Sequence, residues 1–412
     1  MNPQARPGST SELTQAHAPQ AIGGPILTKP FRFLAAFFAI GGVLILFRLA
    51  TSLGTITAMN DGYPWGLWIA FDVVTRTALA CGGYSVALLV YILNRGKYHP
   101  MVRPAVLTSA LGYTLAGMGV GLDVGRWWTI WRVPLVFWHW NLNSVLLEVA
   151  LCIMAYTCVL WIELTPAFLE KAREIGAPSV RRFADRALPV VNKALLWIIA
   201  LGILLPTMHQ SSLGALMLIA GPRLHPLWNT AWLPLLFLLS CISMGYPAVV
   251  FEAALSSWLF KREPERVMLA GLGKAIIPFA VIYLALRAFD WIVRGQLGAL
   301  FAFDLFSVMA LLEVALALAA VLLLVGEARR RRLGNLFRAA MLLMLAGSLF
   351  RFDTYLVAFR PGEHWSYFPS VTELLVTFGF VAGEIMLYIV VVKLFPIITM
   401  EKHSWRASPS IP

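Results

Sequence analysis

Polar side chains stand inside long apolar runs of this 412-residue chain, where they are costly unless paired, hydrated or used. One group comprises Asp123, Arg126, His139, Asn143, His209 and Gln210, with Trp65 and the tryptophans at 127, 128, 131, 138 and 140 around it. Such side chains can hydrogen-bond two ring carbonyls, wall a flat ring with aromatic faces and exchange protons with it. Histidine suits the last task because it titrates near neutrality. A quinone head group requires this chemistry. A second set is carboxylates at successive depths, Asp72, Glu148 and Glu252, with Glu313 and Glu384 at middle depth elsewhere. With water in the gaps, these residues could relay protons. Plainer alternatives are an i,i+3 ion pair for Asp123 and Arg126, interfacial histidines, and neutral glutamates that bond helix to helix.

The elements that must position these residues follow from composition. Hydrophobic residues make up 59% of the chain and charged residues 13%, with a mean hydropathy of +0.75. A soluble domain carries about 25% charged residues, so the reading is an all-α polytopic membrane protein. Ten apolar segments approach the ~20 residues needed to cross a bilayer, near 31–53, 65–93, 101–122, 138–163, 188–208, 232–259, 269–288, 303–325, 335–358 and 370–398. Residues 209–220 are too short to cross and are expected as a re-entrant or surface half-helix. Residues 1–30 read as a disordered arm, with no cleavable signal before the first span. Between spans, 21 Lys and Arg fall on the side of the termini and 5 on the other. The positive-inside rule therefore places both termini in the cytoplasm. The net charge of +12 reports topology and not nucleic-acid binding.

The segment LLEVAL occurs at 146–151 and again at 311–316, four spans later, and Asp123 with Arg126 is echoed by Asp290 with Arg294. Equal orientation points to two similar four-helix bundles. The expected division is an arm at 1–30, a first bundle with the quinone site at 31–163 and a basic cytoplasmic loop at 164–187. A second bundle at 188–325, two C-terminal helices at 326–400 and a tail at 401–412 follow. The four cysteines (Cys81, Cys152, Cys158, Cys241) form no CxxC pair and read as small buried apolar residues. No histidine stands at mid-span on this segmentation, so neither haem nor an iron–sulfur cluster is expected in the chain, and no metal site or catalytic residue is assigned. Electrons must then come from a docked partner.

The stretches NDGYPWGLWIAFDV (60–73), NRGKYHPMVRPA (94–105), LDVGRWW (122–128), NSVLLE (143–148), LLPTMHQSSLGALM (204–217) and HPLW (225–228) resemble the HybB-type membrane subunit of hydrogenase-2-type nickel–iron hydrogenases, within the NrfD/PsrC group. The resemblance implies a ten-span, haem-free anchor in the bacterial inner membrane, in contact with lipid. It implies partners on the periplasmic face: an exported ferredoxin-like iron–sulfur subunit and the small and large [NiFe] subunits. It also implies menaquinone or ubiquinone as substrate, and a proton route through Glu148 and Glu252. Two alternatives stand beside it: another periplasmic donor, for instance a sulfur-linked one, and, less favoured, a secondary transporter.

Overall fold

The computed structural model describes residues 19–399; the first eighteen residues of the expected arm and the expected tail lie outside them. Among the described residues, ten helices are long and apolar enough to cross a membrane. They are α1 (Lys29–Ala50), α2 (Trp68–Ile92), α3 (Gly96–Asp123) and α4 (Val145–Ile175). After them come α5 (Pro178–Ala220), then α6 (Leu233–Leu259), α7 (Arg266–Val293), α8 (Leu305–Leu324), α9 (Leu333–Val357) and α10 (Val371–Leu394). Helix is the form expected of such spans, because lipid offers no partner to an open backbone group. Several starts carry side-chain caps: Ser144 accepts from Leu147 N–H, Asp304 from Ser307 N–H, and Ser370 forms a capping box with Glu373.

Two four-helix groups form, with a membership different from the expected one. Helix α3 packs between α2 and α4, and α4 against α5; α6, α7, α8 and α9 close a second ring. The bundles are therefore α2–α5 and α6–α9, joined where α6 meets α2 and α5 and where α9 meets α2. The first and last spans pair with each other, and this pair lies on α3. LLEVAL lies in α4 and again in α8, the third helix of each group.

Two expectations about the fifth span are corrected together. The 164–187 stretch is helical on both sides of a short break at Gly176–Ala177, and HQSS is no half-helix but lies inside α5, which runs for 43 residues. Alanine, glutamate, lysine and arginine are good helix formers whatever side of the interface they occupy. Helix α5 therefore starts ten residues before its apolar run, and at 1.5 Å per residue it reaches about 64 Å. Its crossing shifts towards the C-terminal end, and His209 is drawn into the interior, about 16 Å short of that end.

The arm is likewise ordered where it is described. β1 (Pro19–Gln20) pairs antiparallel with β2 (Ile398–Thr399), Ile22 and Gly23 donate to Val392 and Lys393 carbonyls, and Lys393 Nζ donates to the Pro25 carbonyl. The two ends of the described residues thus lie on one face, as an even number of crossings requires. Cys158 is exposed, unlike the other three cysteines.

The α1–α10 contact depends on two glycines. A Cβ on Gly41 would stand 2.9 Å from Gly379 Cα, and one on Gly379 would stand 2.8 Å from Gly41 Cα. Such small-residue crossings let backbones approach closely. Gly379→Val should part the pair and destabilise the protein by about 1–3 kcal/mol, as overpacking does. Thermal unfolding in detergent should show the loss, and Ser in the same place should cost less.

Candidate functional site

One face of α3 carries a polar column. Asp123, Gly119, Gly112 with Tyr113, and Thr108 recur at intervals of four and seven residues, so they stack on one side of the helix. The fifteen residues from Thr108 to Asp123 rise about 22 Å, most of the ~30 Å hydrocarbon layer.

At the end opposite the termini, Asp123 closes α3. Its Oδ1 is buried without a protein donor, and Arg48 is the nearest opposite charge. Arg48, 1% exposed, donates from Nε to the Leu122 carbonyl at 3.0 Å and from Nη2 to that of Val124 at 2.8 Å. A cation thus caps the helix C-terminus, where the dipole favours it. Close by, Glu373 accepts from Tyr367 Oη at 2.6 Å and from the Ala58 and Ser370 N–H groups. Burial raises the Tyr367 phenol above its ordinary pKa, and the Glu373 carboxylate adds to the rise.

One turn deeper, Gly119 leaves room for Asp72, whose Cβ a side chain there would touch. Asp72 accepts from Arg76 Nη2 at 2.5 Å and from Thr377 Oγ1 at 2.6 Å, and Arg76 Nη1 donates to Glu384 at 2.8 Å. Asp72 lies in a π-helical stretch, Trp68–Thr75, a feature frequent at functional sites. Deeper still, Gln210 Nε2 donates to Thr77 Oγ1 and Tyr113 Oη, both at 3.2 Å. Tyr113 packs edge-on against His209 and Tyr156. Both ring nitrogens of His209 and the amide oxygen of Gln210 are buried without protein partners. Near the face of the termini, Glu252 accepts from Thr108 at 3.0 Å and Tyr388 at 2.6 Å. It lines a cavity of about 20 Å³ with Arg262, Glu265 and Thr399, roughly the room one water needs.

The residues assigned from sequence distribute as follows. His209 and Gln210 meet in the interior and not at the surface. Trp65 donates to the Tyr355 carbonyl at 2.9 Å and packs on Phe359, outside the column. Arg126, His139 and Asn143 are exposed on short turns between α3 and α4. No ion pair joins Arg126 to Asp123, because α3 ends at Asp123 and Arg126 leaves its face. Glu148 lies in the first turn of α4, half-buried and not at mid-membrane, since α4 begins at Val145. Sequence reasoning missed Tyr113, Thr108, Tyr388 and the roles of Arg48 and Arg76. The two arginines do carry a signal in the sequence, as cations inside apolar spans.

Among the described residues, no group of three or more His, Cys, Asp or Glu could hold a metal ion. A bis-histidine b haem does not fit them either. His209 is the one fully buried histidine described, while His99, His139 and His364 are exposed and His225 lies in a loop.

Ten candidate spans with a column of buried polar groups among them define a polytopic all-α membrane protein. Residues 55–353 match the family model described as polysulphide reductase, NrfD, and the chain belongs to that family. It is 41% identical over 395 residues to the "Probable Ni/Fe-hydrogenase 2 b-type cytochrome subunit" of Escherichia coli (strain K12), across 94% of this chain and 97% of that protein. It is 30% identical over 265 residues to "Menaquinone reductase, integral membrane subunit" of Nitratidesulfovibrio vulgaris, covering 63% of this chain and 61% of the relative. Similarity also extends, at 20% identity over 428 aligned positions, to a selenate reductase subunit of Mesobacillus selenatarsenatis, covering 93% and 98%. The chain is thus a membrane subunit related to hydrogenase and other NrfD-family redox complexes.

The HPLW loop on the face opposite the termini is bound from α7. Arg287 and Trp291 donate to the Leu227 carbonyl, and Arg294 to those of Pro226 and Asn229. His225 stacks on Phe306 at 4.2 Å, and its Nδ1 accepts from the Leu227 N–H. Burial lowers its pKa below the ordinary 6.5; Arg360 pushes the same way and Asp304 opposes. The unfolded loop therefore binds more protons than the folded one as pH falls through about 6.5, and stability present above that pH declines towards the lower folded pKa. The melting temperature should drop between about pH 7 and 5.5, and His225→Gln should flatten that drop. An equally steep profile in the variant would assign the pH dependence to another group.

Proposed function

We propose that this chain takes electrons from a docked iron–sulfur partner on the face opposite its termini and delivers them to a membrane quinone. The termini then face the cytoplasm and the electron donor the periplasm of a bacterial inner membrane. The observation that carries the reading is the Asp123 carboxyl. It offers a buried oxygen with no protein donor, beside a buried arginine, at the outer mouth of a polar column. Such an oxygen can take a proton and donate it to a ring carbonyl, which reduction of a quinone to a quinol needs twice, together with two electrons. Trp127 flanks the mouth and donates to the Leu49 carbonyl, and the exposed Trp128, Trp131 and Trp138 continue the aromatic rim. Menaquinone is favoured over ubiquinone by the name of the Nitratidesulfovibrio relative.

In this reading Glu252 is the cytoplasmic entry for protons, because it lines a cavity and bonds to Tyr388 and Thr108. Water linking the unpartnered atoms of Gln210 and His209 would continue the route. Asp72 keeps it oriented through Arg76. Glu148, half-buried and without a side-chain hydrogen bond among the described residues, serves the outer end. A hydrogenase is the donor favoured by the Escherichia coli relative; the competing reading is another periplasmic redox partner, and with a reductase, as in the selenate reductase relative, the electrons would run from quinol to the partner.

The test is H2-dependent reduction of a menaquinone analogue by membrane vesicles, with the gene intact and deleted, beside a dye assay of hydrogenase. Deletion should abolish quinone reduction and spare dye reduction. If neither activity changes, hydrogen is not the donor. Asp123→Asn should raise the apparent KM for quinone about tenfold or more, the ~1.4 kcal/mol of one charge-assisted hydrogen bond. Glu252→Gln should lower kcat with KM unchanged. An unaltered KM in the first variant would remove Asp123 from the quinone site.

A further inference from the structure

The second bundle holds a buried polar group that the column does not use. Glu313 on α8 is 1% exposed, Asp353 on α9 is 0% exposed, and Arg287 on α7 is 0% exposed. Glu313 Oε1 accepts from Trp228 Nε1 at 3.1 Å, and Oε2 from Arg287 Nη2 at 3.4 Å. Asp353 opens a π-helical turn, Asp353–Val357, and its carboxyl lies within hydrogen-bonding reach of that of Glu313. Neither Asp353 oxygen has a protein donor, and Arg287 Nε is also buried without an acceptor. Tyr283 of α7 also faces the group. Arg351, two residues from Asp353, is turned away, with its guanidinium on the Val74 and Phe237 carbonyls and Ser240 Oγ.

Charge and geometry give one consistent count. Two ionised carboxylates would face each other as acceptors only, in the low-dielectric interior, with one guanidinium beside Glu313, and like charges so placed cannot both remain. One proton supplies the missing donor, leaves a single negative charge opposite Arg287, and makes the contact a strong O–H···O⁻ bond. We infer that Glu313 and Asp353 share one bound proton, a protonation site in the second bundle separate from the column on α3. This site does not depend on the quinone reading. Asp290, three residues beyond Arg287 on the same face of α7, accepts from Thr230 and Arg294 and sits between the pair and the outer surface.

The proton is observable without any turnover. Infrared spectra of the full-length chain in lipid nanodiscs at pH 7 should contain a protonated-carboxyl band that shifts in D2O. Wild type minus Glu313→Gln and wild type minus Asp353→Asn should each show loss of one such band, since either variant leaves a single carboxylate opposite Arg287. Asn at 353 donates to Glu313 as the protonated acid does, so that variant should melt within a few degrees of wild type. It decides the matter alone if Glu313→Gln fails to fold. No band in either difference spectrum would mean that both carboxyls are ionised and would overturn the proposal. A wild-type band that disappears on adding sodium would replace the proton by a metal cation and overturn it equally.

Discussion

The bilayer sets a condition that the interior meets with arginine. A buried guanidinium must find acceptors for its donors and a counter-charge, because water is not available to supply either. Arg76 satisfies this by joining Asp72, one turn away on α2, to Glu384 on α10, so that the ion group holds the first bundle to the outlying α1–α10 pair. Arg351 finds acceptors without an ion pair among the described residues: it bonds carbonyls of α2 and α6, fastening the two bundles together. Arg48 fixes α1 to the end of α3, and Arg287 ties the HPLW loop to α7 and α8. Removing one partner of such a pair costs about 3–5 kcal/mol, far more than a surface ion pair contributes. The helices are apolar almost everywhere else, and apolar surface in lipid does not specify which helix meets which.

Positions of the polar atoms follow from that scaffold. Helix α3 presents glycine at 112 and 119, where α10 and α2 bring in Glu384 and Asp72, and presents Tyr113 and Thr108 to the residues of α5 and α6. Because these contacts come from different helices, the column exists only in the assembled bundle. Its acceptors are unevenly served. Asp72 has two side-chain donors and Glu252 two hydroxyl donors, whereas Asp123, His209 and Gln210 each keep at least one buried atom unpaired. Unpaired buried polar atoms are expensive, so they mark where water or a ligand completes the structure.

How much of this is legible in the sequence depends on which physical signal each element carries. All ten spans can be read, because hydropathy over about 20 residues is a strong signal. Span ends are harder. On hydropathy the fifth span stops at 208, where its apolar run has already used that length, yet the helix starts in the charged Pro178–Arg186 stretch, and His209 therefore lies inside. His139 and Asn143 fall within the fourth apolar run, although Ser144 is the cap of its helix. Their separation from Asp123 is a matter of where α4 begins. Bundle membership is not legible at all, since nothing in Phe31–Ala50 announces that its partner is the last helix. Gly41 and Gly379 carry that information only once their contact is known. The carboxylates and in-span arginines are visible as types; their pairing needs three-dimensional neighbours.

The repeated hexapeptide shows how far neighbours decide chemistry. Glu148 and Glu313 occupy the same place in LLEVAL, in the third helix of each bundle. Glu313 is buried with Arg287, Trp228 and Asp353 around it, while Glu148 is half-buried and makes no side-chain hydrogen bond among the described residues. Besides the start of α4 at Val145, the preceding odd helix differs. α7 carries Arg287 one turn before Asp290, whereas the matching end of α3, GVGLD at 119–123, carries no cation, and its arginine arrives from α1 at a different height. A guanidinium within the last two turns of α7 closes the second site, since it bonds the glutamate and the HPLW carbonyl together. Without such a cation Glu148 stays half-buried, at the end of α4 opposite the described ends of the chain. The same six residues thus yield one sealed carboxyl and one half-buried carboxyl: Glu313 stands eight residues into α8 with Arg287 beside it, whereas Glu148 stands in the first turn of α4.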